Sequence, residues 1–342
     1  MPPRKWVPSI AMAALSFGAV LAFATASLAA RLGADYFPNV ELTTQDGNKI
    51  HFYDDLLKGR IVAINFIYTH CHFSCPLETA RLAQVQEMLG DRVGKDIFFY
   101  SITIDPRHDT PEVLKDYAEK FGAGPGWTFL TGKKADIDRL AVKLGMTDDS
   151  SITSAPGHNV DGHTPHLLIG NETTGQWLRD SSADNPRFLA HLIGDFMDNG
   201  ASAQAAVRSR SDHADGAPLK IDAGQYLFGK ECGACHTIGH GDKIGPDLQD
   251  VARIRDHAWL AHYISQPDKM LAAGDPIAKA LHAKYKVTMP NLRVGDRDLA
   301  ALLGFLSAQA AAANPQVSLE GPVGRGIPGP MDSEVSRRRA GD

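Results

Sequence analysis

Two blocks of β-branched and aromatic residues stand out along the chain: Arg60-Ile61-Val62-Ala63-Ile64-Asn65-Phe66-Ile67-Tyr68 and Asp96-Ile97-Phe98-Phe99-Tyr100-Ser101-Ile102-Thr103-Ile104. Near-continuous apolar runs of this length predict strands buried on both faces. Between and after them the apolar period lengthens to that of a helix. Leu77, Ala80, Leu82, Val85, Met88 and Leu89 share one helical stripe. Asp109-Thr110-Pro111-Glu112 predicts a helix start, with Asp109 or Thr110 as N-cap and Gly122 as the stop. Ahead of the first block, residues 40–44 and 49–52 alternate around Asp46-Gly47-Asn48, a hairpin signature. Residues 134–144 predict a helix after Thr128-Phe129-Leu130. A second hairpin joins 166–169 to 175–178, and Asn185-Pro186 opens a last helix.

That order, strand–helix–strand–helix followed by a hairpin and a helix, predicts a thioredoxin-like α/β domain over residues 31–198. Residues 199–217 lose aromatic and large aliphatic content, as linkers do. From 218 to 312 the pattern is all-α, with helices expected at 222–228, 258–265, 276–285 and 297–308. The Gly- and Pro-rich residues 313–342 read as a disordered tail. At the other end, Arg4 and Lys5 precede an uncharged Ala-rich stretch, so residues 1–30 read as a signal peptide or membrane anchor. The body of the protein is therefore expected to be exported: periplasmic, soluble or anchored to the inner membrane.

The 342 residues are 43% apolar and 22% charged, enough for two real cores. A net charge of −5 without a basic run gives no footprint for nucleic acid. The four cysteines come as two tight pairs, Cys71/Cys75 and Cys232/Cys235, too close in sequence for a structural disulfide framework. Idle thiols tend to oxidise outside the cytoplasm, so both pairs are expected to be used.

Cys232-Gly233-Ala234-Cys235-His236 is the C-x-x-C-H attachment site of a c-type haem. Two thioethers would fix the porphyrin edge, and His236 would meet the iron. The sixth ligand must come from downstream, and Met289 in Val287-Thr288-Met289-Pro290 fits best. Met270, in a polar context, fits less well, and His240, His257, His262 and His282 read as surface groups. With Gly245-Pro246-Asp247-Leu248, the Met289-Pro290 loop and a closing helix at 299–306, this half resembles the class I cytochromes c.

The first pair lies in Thr69-His70-Cys71-His72-Phe73-Ser74-Cys75-Pro76, between the first buried strand and its helix. Cysteines four apart would set two sulfurs on one face of a first helical turn, whose N-terminal charge favours thiolates. Thiolates serve soft metals and disulfide chemistry alike. Together with Asn65-Phe66-Ile67-Tyr68-Thr69, the C-x-x-x-C-P resembles the SCO (SenC) family of copper proteins. Asp105-Pro106-Arg107-His108-Asp109-Thr110-Pro111-Glu112 is similar to that family's D-P-x-R-D-T-P-E segment, departing at 107 and 108. Val160-Asp161-Gly162-His163-Thr164 is similar to its V-D-H-T/S segment with a glycine inserted. The resemblance implies copper on Cys71, Cys75 and His163, with His166 next in line and His158 also flanking. His70 and His72 read as exposed, and Asp105 as capping or packing a helix start.

Dithiol–disulfide couples lie at roughly −120 to −270 mV, whereas a His/Met haem has a raised potential. A haem carries one electron and a disulfide needs two, so a copper ion, which changes by one, matches the haem better. The expectation is a copper-binding protein helping to assemble a respiratory oxidase copper centre. Its expected partner is a cytochrome oxidase copper subunit or another periplasmic redox protein. The alternative is a thiol–disulfide oxidoreductase that cycles Cys71 and Cys75 and hands electrons to the haem.

Overall fold

The computed structural model describes residues 33–146, 166–199 and 222–313, which fall in one compact unit. The 1–30 leader, His158 and His163 lie outside the described residues, as do nearly all of the linker and tail. Among the described helices none is long and apolar enough to cross a membrane.

The first domain is built on a seven-stranded sheet in the order β2-β1-β5-β4-β3-β6-β7. Its strands are β1 (Glu41–Thr44), β2 (Lys49–His51), β3 (Ile61–Ile67), β4 (Ile97–Thr103), β5 (Trp127–Gly132), β6 (Leu167–Asn171) and β7 (Gln176–Asp180). The β3, β4 and β5 strands run parallel, while β1, β2, β6 and β7 add antiparallel edges. This is the expected thioredoxin-like α/β domain. All seven residues of β3 are buried, because both faces are covered. Ile61, Ala63 and Ile67 face α1 (Cys75–Leu89), α2 (Pro111–Lys120) and α4 (Pro186–His191). Val62, Ile64 and Phe66 face the wide helical segment Phe52–Leu57 and α3 (Lys134–Lys143).

Two details place the cysteine pair. Helix α1 starts at Cys75, with Pro76 in its first turn, so Cys71 sits in the turn before the helix. The Cys71 amide donates to Tyr68 O at 3.3 Å. The sulfurs therefore meet across a loop–helix junction rather than along one helical face, because proline suits a helix only at its start. The N-cap of α2 is Thr110, which accepts from Val113 N at 3.4 Å. Asp109 is fully buried instead, accepting from Thr69 N at 3.1 Å and from the hydroxyls of Thr69 and Thr103. It ties the ends of β3 and β4 together beneath the cysteine loop. Asp105 caps no helix either: its carboxylate pairs with His108 Nδ1 at 2.6 Å.

The second domain is all-α: α5 (Ala223–Leu227), α6 (Val251–Ile254), α7 (His257–Ser265), α8 (Pro267–Ala272), α9 (Pro276–Tyr285) and α10 (Asp296–Ala313). Helices α6 and α8 are short and escaped the sequence pattern. Helix α10 outruns its expected end because Ala308-Gln309-Ala310-Ala311-Ala312-Ala313 is strong helix-forming sequence. Met270 belongs to the buried face of α8, not to a polar surface. Helices α5 and α10 cross at Gly224, where an added Cβ would lie 2.2 Å from Ala301 O and 2.6 Å from Phe305 Cβ. Gly224→Val should therefore destabilise this domain by at least about 1–3 kcal/mol, the usual cost of overpacking. Thermal melting of the full chain followed by far-ultraviolet circular dichroism reads this directly.

Candidate functional site

Cys75 has no solvent exposure and Cys71 has 5%. They form a small dry cluster with Tyr68, flanked by Phe73 and Ile104. Both are free thiols in hydrogen-bond contact with each other. The Cys75 hydrogen bond is the main force lowering the Cys71 pKa to about 5. Burial works against it, and the Tyr68 side chain and the Cys75 and Phe73 amides assist. Cys75 moves the opposite way, raised first by that shared hydrogen bond and then by burial. At neutral pH the pair thus holds one thiolate and one proton, a donor set suited to a soft cation or to nucleophilic attack. The apo chain should show one thiolate by ultraviolet absorption with a midpoint near pH 5, absent in Cys71→Ser. Because the folded pKa is depressed, the thiolate persists above that midpoint. Affinity for a soft cation should therefore fall as the pH drops below it.

A polar chain backs the pair. Thr79 Oγ1 donates to Cys75 O at 2.8 Å and lies 3.1 Å from the hydroxyl of buried Tyr117. Nothing in the sequence pattern marks either residue: Thr79 falls outside the stripe of Leu77, Ala80 and Leu82, and Tyr117 reads as an ordinary position of the helix that follows Thr110. His70 and His72 are exposed. His166 is half-buried just before β6, where Leu167 lies opposite Asn65 of β3. The cysteine loop leaves from that same end of β3.

The second cysteine pair occupies different surroundings. Cys232, Cys235, His236 and Met289 all line one crevice, together with Phe228, Trp259 and Leu260. Met270 does not line it. His240, His257 and His262 are exposed, and exposed His282 reaches the crevice lip. Both cysteines are only partly exposed, and both line the crevice. Desolvation accordingly pushes Cys232 up to about 12 and Cys235 up to about 11. Neither is a thiolate at neutral pH, in contrast to Cys71.

These residues fit a haem. His236 Nδ1 is 2.8 Å from Pro246 O, and a carbonyl can only accept, so Nδ1 carries the proton and Nε2 is left to bind iron. Burial lowers the His236 pKa and keeps the ring neutral, as a ligand must be. Gly245 makes room for the ring: a Cβ there would lie 2.6 Å from His236 Cε1. Asp247 pins the loop between them, accepting from Gly239 N at 3.0 Å and Gly241 N at 2.7 Å.

The two sites share a wall. Pro76, next to Cys75, lines the crevice that holds His236 and Met289. It also lines a second cleft that contains Thr69, Cys71, Val287 and Thr288. Asn291 N, just past Met289, donates to His72 O at 2.7 Å, and the Arg293 guanidinium lies 4.8 Å from the Phe73 ring centre. Ala234, Cys235, Ile244, Val287 and Leu292 join the apolar cluster of α1. Arg81 of α1, 4% exposed, donates to the carbonyls of Ala183 and Lys230 and pairs with Glu231 at 3.6 Å.

Known proteins divide the chain in the same way. A family model described as SCO1/SenC matches residues 28–194, and one described as cytochrome c matches residues 221–310. An SCO2-like protein of Rickettsia felis is 32% identical over 165 residues, 48% of this chain and 71% of that protein. An SCO1 homologue of Bacillus subtilis is 33% identical over 101 residues, covering 29% and 51% of the two chains. The structure of Bradyrhizobium japonicum ScoI with copper bound is 25% identical, covers 45% of this chain and 94% of that one, and superposes with a TM-score of 0.37.

Proposed function

This chain belongs to the SCO1/SenC family and carries a cytochrome c domain, and on that premise we propose that it is an exported copper-binding protein that exchanges single electrons between its two domains. Cys71 and Cys75 hold the copper, with His163, outside the described residues, as third ligand. A covalent haem c is held by Cys232 and Cys235, with His236 and Met289 on its iron. When bound, the haem supplies a one-electron couple beside the copper. The protein's partner is an oxidase subunit that receives copper, or another periplasmic redox protein.

The observation that carries this reading is the position of Pro76, which adjoins Cys75 and forms part of the crevice wall. The chain's own groups supply the rest. Cys71 offers copper a ready thiolate, while Cys75 must release its proton as the metal enters. The dry cluster of Tyr68, Phe73 and Ile104 keeps competing water away. Metal analysis of the full chain loaded with Cu(I) alone should find one copper and one haem, the haem resisting extraction by acidified acetone. Cu(I) affinity left unchanged in Cys71→Ser would sink the reading.

One observation favours a second reading. A Cys71 pKa of about 5 beside a protonated Cys75 also suits thiol–disulfide exchange. Closing that disulfide from one thiolate and one thiol releases two electrons and one proton, and one haem accepts only one of the electrons. Under this reading a chain with blocked thiols would lose activity while its copper content stayed irrelevant.

A further inference from the structure

Outside the cysteine pair, the described residues contain one cluster of metal-binding groups: His70, Asp105 and His108. One donor atom from each lies within 4.8 Å of the others. Asp105 Oδ2 is 2.6 Å from His108 Nδ1 and 3.7 Å from His70 Nε2, so one carboxylate oxygen faces both imidazoles. The rings face each other edge-on at 5.3 Å, and Tyr68 steadies His70 from 5.1 Å. The carboxylate is fixed by its place in the 105–109 turn, where Asp105 O accepts from His108 N and Asp109 N at 3.2 and 3.0 Å. Asp105 is mostly covered, and the imidazoles are 48% and 70% exposed. Nitrogen and oxygen donors sit about 2.0–2.2 Å from an ion of this class. Small rotations of two exposed rings would close the set.

We propose that His70, Asp105 and His108 form a second metal site, distinct from the cysteine pair, that takes a divalent ion, Cu(II) foremost. Two imidazoles and a carboxylate with open positions suit borderline divalent ions, among which Cu(II) binds most strongly. The thiolate pair, being soft, prefers Cu(I). The two sets therefore divide the oxidation states of one metal. They also adjoin: His70 precedes Cys71, and both line the same cleft. Copper arriving as Cu(II) would find its own donors at the mouth of that cleft. This site does not depend on the thiolates binding copper.

The test is a Cu(II) titration of the full haem-containing chain carrying Cys71→Ser and Cys75→Ser, read by electron paramagnetic resonance. One Cu(II) per chain is expected, with hyperfine coupling to two nitrogens. His108→Ala and His70→Ala should each weaken it by at least about tenfold and remove one nitrogen coupling. His163→Ala should leave it unchanged. The native chain preloaded with Cu(I), which is silent in this spectroscopy, should give the same signal. The proposal is overturned if His108→Ala and His70→Ala leave affinity and spectrum as they were, or if His163→Ala abolishes the signal. Failure of the thiolate reading shows separately, in the Cu(I) titration of the native cysteines.

Discussion

Replacing Cys75 with serine should cost the full chain its Cu(I) affinity by more than about a hundredfold, the upper end of what even outer-shell changes cost a metal site. A serine hydroxyl is a hard donor that stays protonated at neutral pH, and the position has no water to help it. The fold should survive, since the substitution is nearly isosteric and costs about 1–3 kcal/mol at most through hydrogen-bond mismatch. A second variant separates two roles of this residue. Cys75 supplies the hydrogen bond that does most to lower the Cys71 pKa to about 5. Serine keeps a donor there and alanine does not. The Cys71 thiolate should therefore persist at neutral pH in Cys75→Ser, and its midpoint should rise in Cys75→Ala. Competition against a Cu(I) chelator and ultraviolet pH titration measure the two effects. Equal midpoints in both variants would remove Cys75 as the source of the shift.

Arg81→Leu should loosen the second domain from the first. Its guanidinium links α1 to Ala183 O and to Lys230 O, beside the C-x-x-C-H turn, and pairs with Glu231. Leucine fills the space but leaves two part-buried carbonyls without this donor, each loss costing about 1 kcal/mol. Glu231 retains Lys230 as a partner at 3.1 Å, so the charge itself is not stranded. Calorimetry of the full chain should then resolve a lower-melting haem-domain transition from the main one. Copper affinity at Cys71 and Cys75 should hold, because Arg81 touches neither. Coincident melting at the native temperature would show that the apolar contacts alone join the domains.

Much of this molecule is legible in the sequence, for identifiable reasons. Strands β3 and β4 announce themselves because burial on both faces requires an unbroken apolar run. The cysteine pairs and His236 stand out by their short spacings, C-x-x-x-C and C-x-x-C-H. What stays hidden is held by groups without a side-chain signature. Arg81 reads as an ordinary charged helical residue, because its partners are backbone carbonyls of distant segments. Asp109 reads as a helix cap, and only the folded strands bring Thr69 and Thr103 to it. The cysteine loop reads as a helical turn until Pro76 is seen to start the helix at Cys75. Met270 reads as polar from its neighbours Asp268 and Lys269, although the helix turns its own side chain inward. His70 reads as an exposed histidine, and His108 only as a departure from the D-P-x-R-D-T-P-E pattern. The fold brings both to Asp105.

The central claim is that copper on Cys71 and Cys75 exchanges an electron with the haem across the wall at Pro76. Stopped-flow mixing of the reduced-haem chain with one equivalent of Cu(II), followed in the haem absorbance, tests it most directly. The account predicts oxidation of one haem per copper bound, in a phase whose rate is independent of protein concentration and which disappears in the Cys71→Ser/Cys75→Ser chain. A rate that rises with protein concentration, or that is unchanged without the cysteines, would contradict it.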